Sequence, residues 1–366
     1  MTLHLSLRWS HEPASALLTA APVQAKWDRV NASGMNCPFL SASAVGGALR
    51  ELGTGRERLC MASAPDGAPV AMVLMAPAGR FRWQTFQPSQ LPLGALVAAR
   101  GLGMNDLAAS LMRSSALPLP LTVSFTQMDP LQLAREDNRP DTRFDDYIST
   151  AWLELQGTFA DYWAARGKNL RQNMRKQRNK LADSGLQTSL LILQDRADMA
   201  GAIDRYGELE SGGWKAGQGT AVHRDNAQGR FYLRLLEEAA DTGEALVTEY
   251  RFGNKTVAMN LGLLRNQTWV VLKTAYDESI DKSLSPASLL REEELQQFFA
   301  TAQVQRMEYF GRLMEWHTRL TDKQRTLYHV TAYRWPWIRQ FAERRATVPV
   351  APLSPQPQPQ PQPSEG

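Results

Sequence analysis

Seven lysines or arginines and no acid fall within the fifteen residues Arg166–Lys180. Counted around a helix, Lys168, Arg171, Arg175 and Arg178 stand at i, i+3, i+7 and i+10 and form one stripe. Trp163, Leu170, Met174 and Leu181 form a second stripe about a quarter-turn away. Such a helix is anchored in a core along one edge and presents four cations along another. Like charges at this spacing cost about 0.2–0.5 kcal/mol per pair, so an anion held there is the functional reading. A solvated basic face is the plain alternative.

A second candidate is the segment Lys273–Leu290, KTAYDESIDKSLSPASLL. A strand ends, an acidic loop follows, and a helix starts with Ser285 at the N-cap and Pro286 at the first helical position. Unpaired N–H groups and the dipole at such a start favour a phosphate, so Ser285, Pro286, Ala287, Ser288 and Leu289 are candidate pyrophosphate contacts; an ordinary capped helix is the alternative. Tyr276 is a candidate substrate contact. Asp277 and Glu278 follow the strand end directly, where a carboxylate can act as general base or simply be solvated. His317, in Arg312–Arg319 (RLMEWHTR), is a third candidate base, with a packed structural imidazole as its alternative. Trp214 and Lys215, in the glycine-rich loop Glu210–Gly219, suit the wall of a sugar or acyl-donor pocket.

Two similar runs of elements are expected to position these groups. Cys60–Ala64 and Pro69–Ala76 flank Pro65-Asp66-Gly67 as a hairpin, followed by the strand Phe81–Phe86, a Ser/Pro loop, a helix over Leu93–Met112 and a strand at Leu121–Phe125. Ala245–Phe252 and Thr256–Leu264 flank Gly253-Asn254, followed by the strand Thr268–Thr274, a Ser/Pro loop, a helix over Leu289–Ala302 and a strand at Arg306–Phe310. The second run is preceded by helices over Thr158–Ser184, Arg196–Ser211 and Arg230–Asp241. The fold class is therefore α/β (α+β), with two duplicated units, each a mixed sheet flanked by helices. The boundary falls near Ile148: residues 1–148, then 149–345, then a Pro/Gln-rich tail 346–366 expected to be disordered.

Composition narrows the classes. A chain of 366 residues with 43% hydrophobic and 21% charged residues suits a two-domain globular protein. The net charge of +4 is small, so the basic character is local to one helix and a nucleic-acid coat is not expected. Cys37 and Cys60 have no CxxC or Cys/His neighbourhood, which argues against a disulfide framework or a zinc site, and no metal is expected. No apolar run approaches the length of a membrane span and no secretion signal precedes the first element, so a cytoplasmic protein is expected. Motifs of serine hydrolases, Walker NTPases, zinc proteases and dinucleotide enzymes are absent from the sequence.

The order Lys168-x2-Arg171-x3-Arg175, Glu210-Ser211 with Trp214-Lys215, Tyr276-Asp277-Glu278, Ser285-Pro286 and Leu289-Leu290 resembles the GNAT-like acyltransferases of the BioF-like type. That group takes in CelD-like proteins named for cellulose biosynthesis and is related to the FemAB aminoacyltransferases. The likeness covers roughly Phe159–Leu320, and more weakly Trp27–Gly94. It implies tandem GNAT-like domains, with acetyl-CoA or another acyl-CoA as co-substrate in the second. The acceptor implied is an amine or hydroxyl of a sugar or glycan precursor, in polysaccharide or cell-envelope synthesis. Asp277, Glu278 or His317 would take the proton, and Lys168, Arg171 and Arg175 would hold phosphate. Two departures stand out: Ala287 where members often carry Gly, and Glu315-Trp316-His317 where they carry an acid, Tyr and Lys. A FemAB-like enzyme drawing on aminoacyl-tRNA is one alternative. A non-catalytic assembly protein is another.

Overall fold

The computed structural model describes residues 7–212, 222–281 and 283–346. Its first half runs β1 (Arg8–Pro13), α1 (Ala16–Thr19), α2 (Ala21–Ser33), α3 (Ala42–Leu52), β2 (Arg58–Ser63), β3 (Pro69–Gly79), β4 (Arg82–Thr85), β5 (Leu96–Ala98), α4 (Met104–Arg113) and β6 (Thr122–Met128). The second half opens with β7 (Thr142–Glu154), α5 (Phe159–Ala164), α6 (Lys168–Asp183), β8 (Thr188–Leu193), α7 (Arg196–Gly212) and α8 (Ala227–Ala240). It continues with β9 (Ala245–Phe252), β10 (Lys255–Arg265), β11 (Thr268–Tyr276), α9 (Pro286–Thr301), β12 (Arg306–Tyr309), α10 (Glu315–Leu320), β13 (Gln324–Tyr333) and α11 (Pro336–Ala346).

One mixed sheet passes through both halves in the order β1-β2-β3-β4-β6-β13-β7-β12-β11-β10-β9-β8, with β5 paired to β3. The duplicated plan is visible in it. β2-β3-β4 and β9-β10-β11 are antiparallel meanders, each followed by a helical crossover to a parallel partner, β4 to β6 through α4 and β11 to β12 through α9. The middle of the sheet joins the halves: β7 pairs with β12, and β13 sits between β6 and β7. Residue 148 lies inside β7.

Burial follows the alternation of the strands. On one face of the second meander, Val247, Met259, Leu261 and Val270 join α2, α3, α7 and α8 in a core around Trp27 and Tyr206. On the other face, Leu246, Trp269 and Val271 pack under α9 through Leu295 and Phe298. Polar groups taken into these cores keep partners: Trp27 Nε1 donates to the carbonyl of Leu40 at 2.7 Å, and Trp269 Nε1 to that of Leu246 at 3.1 Å.

Two helical expectations need correction. Leu93–Met112 is not one helix, because Leu96–Ala98 forms β5 and helix begins only at Met104. Leu96–Ala98 is buried on both faces and pairs with Ala71–Val73, after which Gly101 adopts a positive φ of 86° that no helix contains. The helix over Thr158–Ser184 is likewise interrupted between Ala164 and Lys168. Gly167 there holds extended backbone as the N-cap of α6.

Candidate active site

The chemistry concentrates where a parallel strand pair parts. β11 and β12 pair from Thr268↔Arg306 to Val271↔Tyr309; β12 then ends, while β11 continues to Tyr276. A fork opens between them, with α9 beginning beyond its tip. The first half has the same fork between β4 and β6, but there it is closed. Thr85 Oγ1 lies 2.6 Å from Thr126 Oγ1 and accepts the Thr126 N–H at 2.9 Å. Gly94 fills what remains: a Cβ there would stand 2.6 Å from both Thr126 O and Thr85 Oγ1.

In the second half the fork is lined from α9, β12 and α10. Arg291 stacks on Trp316 with its guanidinium carbon 3.7 Å from the ring centroid. Tyr309 meets Trp316 and His317 edge-on at 5.2 and 5.1 Å. Arg291 makes no ion pair among the described residues. Burial is the chief cause that holds its pKa below the usual arginine value, against the pull of Tyr309, Glu294 and Tyr276. Arg291 is four residues from Ala287, so both occupy one helix face, and helical side chains lean toward the N-terminus. Arg291 therefore stands one helical turn from the start of α9, its guanidinium on the Trp316 ring.

That first turn is under-satisfied. Ser285 occupies the N-cap position, but its hydroxyl caps no backbone N–H and lies 2.9 Å from the hydroxyl of Ser288. The Ser285 N–H donates to Gln177 Oε1 at 3.0 Å, and the N–H groups of Ser288 and Leu289 donate to the Ser285 carbonyl at 3.0 Å. Pro286 has no N–H, and that of Ala287 finds no acceptor among the described residues. A helix start with an open donor beside an unpaired cation is suited to an anion. Leu289 is fully buried and serves as the packing anchor of this turn.

Below the fork lies Glu294, fully buried. Its Oε1 accepts from Thr248 Oγ1 and, at 2.7 Å, from Asn260 Nδ2, while Thr274 Oγ1 donates to Asn260 Oδ1 at 2.5 Å. Burial pushes its carboxyl up to about 7, against these hydrogen bonds and the charge of Arg291. On the opposite face of β11, Lys273 Nζ lies 3.2 Å from Glu210 Oε1 and 5.6 Å from the ring centroid of Tyr232. Glu210 also accepts the N–H of Val222 at 2.8 Å.

The candidate bases read from the sequence stand in unequal states. Asp277 lines a cavity of about 460 Å³ with Arg205, Lys255 and Ser279. Burial acts to raise its pKa, but Lys255, at 2.6 Å, and the N–H and hydroxyl of Ser279 hold it below the usual carboxylate range. It is a fixed anion rather than a ready proton acceptor. Glu278 is exposed in the same loop, and Tyr276 is exposed at the end of β11. His317 is buried, and its Nδ1 accepts the N–H of Met314 at 2.9 Å. Burial, then the charge of Arg291, bring its pKa down to about 4. The ring is therefore neutral at pH 7 with its proton on Nε2, so it can donate there and is a weak base.

The cationic stripe divides. Arg178 leaves the free edge for Glu292 and Glu293, each at 2.7 Å, and for the hydroxyl of Tyr250 at 3.2 Å. Lys180 bonds Asp281 at 2.9 Å and the hydroxyl of Ser283. These contacts and that of Gln177 dock the C-terminal end of α6 at the mouth of α9. Lys168, Arg171 and Arg175 remain exposed, and no ion pair holds them among the described residues. Lys168 is nine residues from Gln177, which at 1.5 Å per residue is about 14 Å along the axis. It stands at the opposite end of α6 from the contact with Ser285. Trp214, Lys215 and the tail 347–366 lie outside the described residues.

Arg291 and Glu294 were not singled out in the sequence. Within REEE they look like ordinary solvated charges, although Arg291 follows Leu289-Leu290 on a turn whose start had been identified.

With this geometry in hand, the chain compares with known proteins as follows. Residues 168–316, from the start of α6 into α10, match the family described as acetyltransferase (GNAT) domain. No curated protein matches the chain. The C-terminal domain of a putative lysylphosphatidylglycerol synthetase from Agrobacterium fabrum superposes with a TM-score of 0.54 at 13% identity, covering 90% of this chain and 96% of that one. A conserved protein of unknown function from Bacteroides thetaiotaomicron superposes with a TM-score of 0.52 at 13% identity, covering 85% and 97%. At these identities the likeness is one of fold.

Proposed function

We propose that the chain is an acyltransferase that takes an acyl group from an acyl-CoA and passes it to an amine or hydroxyl acceptor at the β11–β12 fork. The match of residues 168–316 to an acetyltransferase domain supports the reaction class. The observation that carries the donor assignment is the pair of unmet groups one helical turn apart at the start of α9, Arg291 with no ion pair and the Ala287 N–H with no acceptor among the described residues. Ala287, Ser288 and Arg291 would hold the donor's pyrophosphate there. In the reaction, the acceptor nitrogen or oxygen attacks the thioester carbonyl carbon, the C–S bond breaks, and the acceptor's proton leaves as the thiolate departs. The Nε2–H of His317 has the character of a donor to developing negative charge rather than of a base. Glu278 remains the candidate carboxylate for the proton, with Tyr276 beside the acceptor. A sugar or glycan-type acceptor, and a division at about residue 148 into a supporting and a catalytic unit, complete this reading.

Thermal denaturation with acetyl-CoA, with desulfo-CoA and with inorganic phosphate tests it. A donor at about 100 times its Kd stabilises by about 2.7 kcal/mol. No shift with any acyl-CoA, short- or long-chain, rejects the assignment.

The free edge formed by Lys168, Arg171 and Arg175 favours one second reading, in which a tRNA backbone lies along α6 and the donor is an aminoacyl-tRNA. Transfer that is abolished by ribonuclease, and salt sensitivity that weakens in Arg171→Ala with Arg175→Ala, would establish it instead.

A further inference from the structure

At one end of the sheet, three neighbouring strands begin or end beside large apolar side chains turned to solvent. The start of β4, the start of β6 and the end of β13 are tied together there: the Leu121 N–H donates to the Phe81 carbonyl at 2.7 Å, and the Arg334 N–H to the Leu121 carbonyl at 3.0 Å. Around these bonds stand Phe81, Leu119, Trp335 and Trp337, exposed by 40, 66, 45 and 61%. The two tryptophans stack at 5.8 Å with their planes 9° apart. Phe81 sits at the β3–β4 turn with φ 64°, and Leu119 sits between Pro118 and Pro120 with φ 38°. Both φ values belong to the region that Gly or Asn fills at least cost, and that a bulky side chain fills only under strain. Burial provides no compensation at either position. A phenylalanine and a leucine exposed at such positions point to something outside the chain that receives them.

Cations are interleaved with these side chains. The guanidinium of Arg80 lies 5.0 Å from the centroid of Phe81, and that of Arg334 lies 5.6 Å from Trp335. Arg82 and Arg113 are exposed alongside. Asp141, 3.8 Å from Arg113, offsets one of these four arginines, so the groups named here are net positive. Its apolar groups stand on separate turns and a helix start rather than forming a groove for a peptide. Aromatic side chains at projecting tips, with arginines beside them, match the depth profile of a bilayer interface bearing anionic headgroups.

We infer that this end of the molecule docks peripherally on an anionic phospholipid surface, Phe81, Leu119, Trp335 and Trp337 entering the interface while Arg80, Arg82 and Arg334 meet the headgroups. The inference is independent of the donor site. Co-sedimentation of the full chain with vesicles of phosphatidylcholine containing phosphatidylglycerol, against phosphatidylcholine alone, tests it. Binding is expected to the anionic vesicles and to weaken as salt rises. Phe81→Asn with Leu119→Asn suits the backbone at both positions, so it should leave the melting temperature unchanged or raised while reducing vesicle partitioning about tenfold or more. Failure to bind anionic vesicles overturns the inference, as does undiminished binding by the double variant. A concentration-dependent dimer in light scattering that the double variant abolishes also overturns it, assigning the patch to a second copy.

Discussion

Gln177 Oε1 accepts the backbone N–H of Ser285 at 3.0 Å, joining the cationic helix α6 to the first residue of the α9 turn. This bond meets the need of one N-terminal donor from outside the helix, and Pro286 removes another by having none. What stays open is the N–H of Ala287, one turn before Arg291. The functional assignment rests on that remainder.

Ser288→Asp separates helix stability from donor binding. A carboxylate in the first turn favours the helix dipole, so the melting temperature should rise slightly, by the equivalent of about 0.3–1 kcal/mol. The same charge repels a pyrophosphate, so the KM for acyl-CoA should rise at least about tenfold. A stabilised variant with unchanged KM would show that the donor's phosphates lie elsewhere.

Arg291→Gln removes a cation that holds no carboxylate among the described residues, so its cost to folding should be small. Loss of a charge-assisted hydrogen bond of about 1.5–3 kcal/mol corresponds to roughly a 10- to 150-fold weaker donor. Calorimetric titration with acetyl-CoA reads this directly. Equal affinity for wild type and variant would remove Arg291 from the site.

Glu294 makes the stability of the fold depend on pH. Its folded pKa of about 7 stands above the ordinary 4.5, so the unfolded chain ionises first as pH rises. This group's contribution is fully present below about pH 4.5, is lost progressively up to about pH 7, and is level beyond. Gln in its place can keep both hydrogen bonds to Oε1 and does not ionise. In Glu294→Gln the difference in unfolding free energy between pH 5 and pH 8 should therefore shrink, by on the order of 2–3 kcal/mol. Parallel pH profiles in urea denaturation would refute the assignment of a raised pKa.

Arg325 joins the halves through charge. It is 3% exposed and lies 2.9 Å from Asp129, beyond β6, and 2.9 Å from Glu308 on β12. Arg325→Met leaves both carboxylates buried without their shared cation, and such a loss costs about 3–5 kcal/mol. Adding Asp129→Asn and Glu308→Gln should recover a substantial part of it. A single variant as stable as wild type would mean that water already screens the cluster.

The features legible in the sequence were those written in local chemistry. Pro65-Asp66-Gly67 and Gly253-Asn254 marked both hairpins, and Ser285-Pro286 marked the start of α9 to the residue. Met174 and Leu181 marked the buried edge of α6. Three kinds of feature were hidden for physical reasons. Leu96–Ala98 is apolar on both sides, so periodicity alone did not distinguish strand from helix. Arg178 belongs to the cationic stripe by spacing, yet Glu292 and Glu293 draw it out of the stripe from another helix. Arg291 and Glu294 acquire their character from β12, α10 and the sheet beneath, whose packing against α9 leaves no imprint on the residues beside them in sequence.

The last strand also imposes a schedule on synthesis. β6 reaches its neighbour β13 only after almost two hundred further residues have been made, an interval of roughly 10–40 s at the usual 5–20 residues per second. Throughout that time the nascent front half carries a bare strand edge flanked by Val123 and Phe125, an invitation to pair with whatever strand arrives first. Ribosome-associated chaperones would find their substrate there, and a chain ended prematurely anywhere between β6 and β13 would keep that edge permanently.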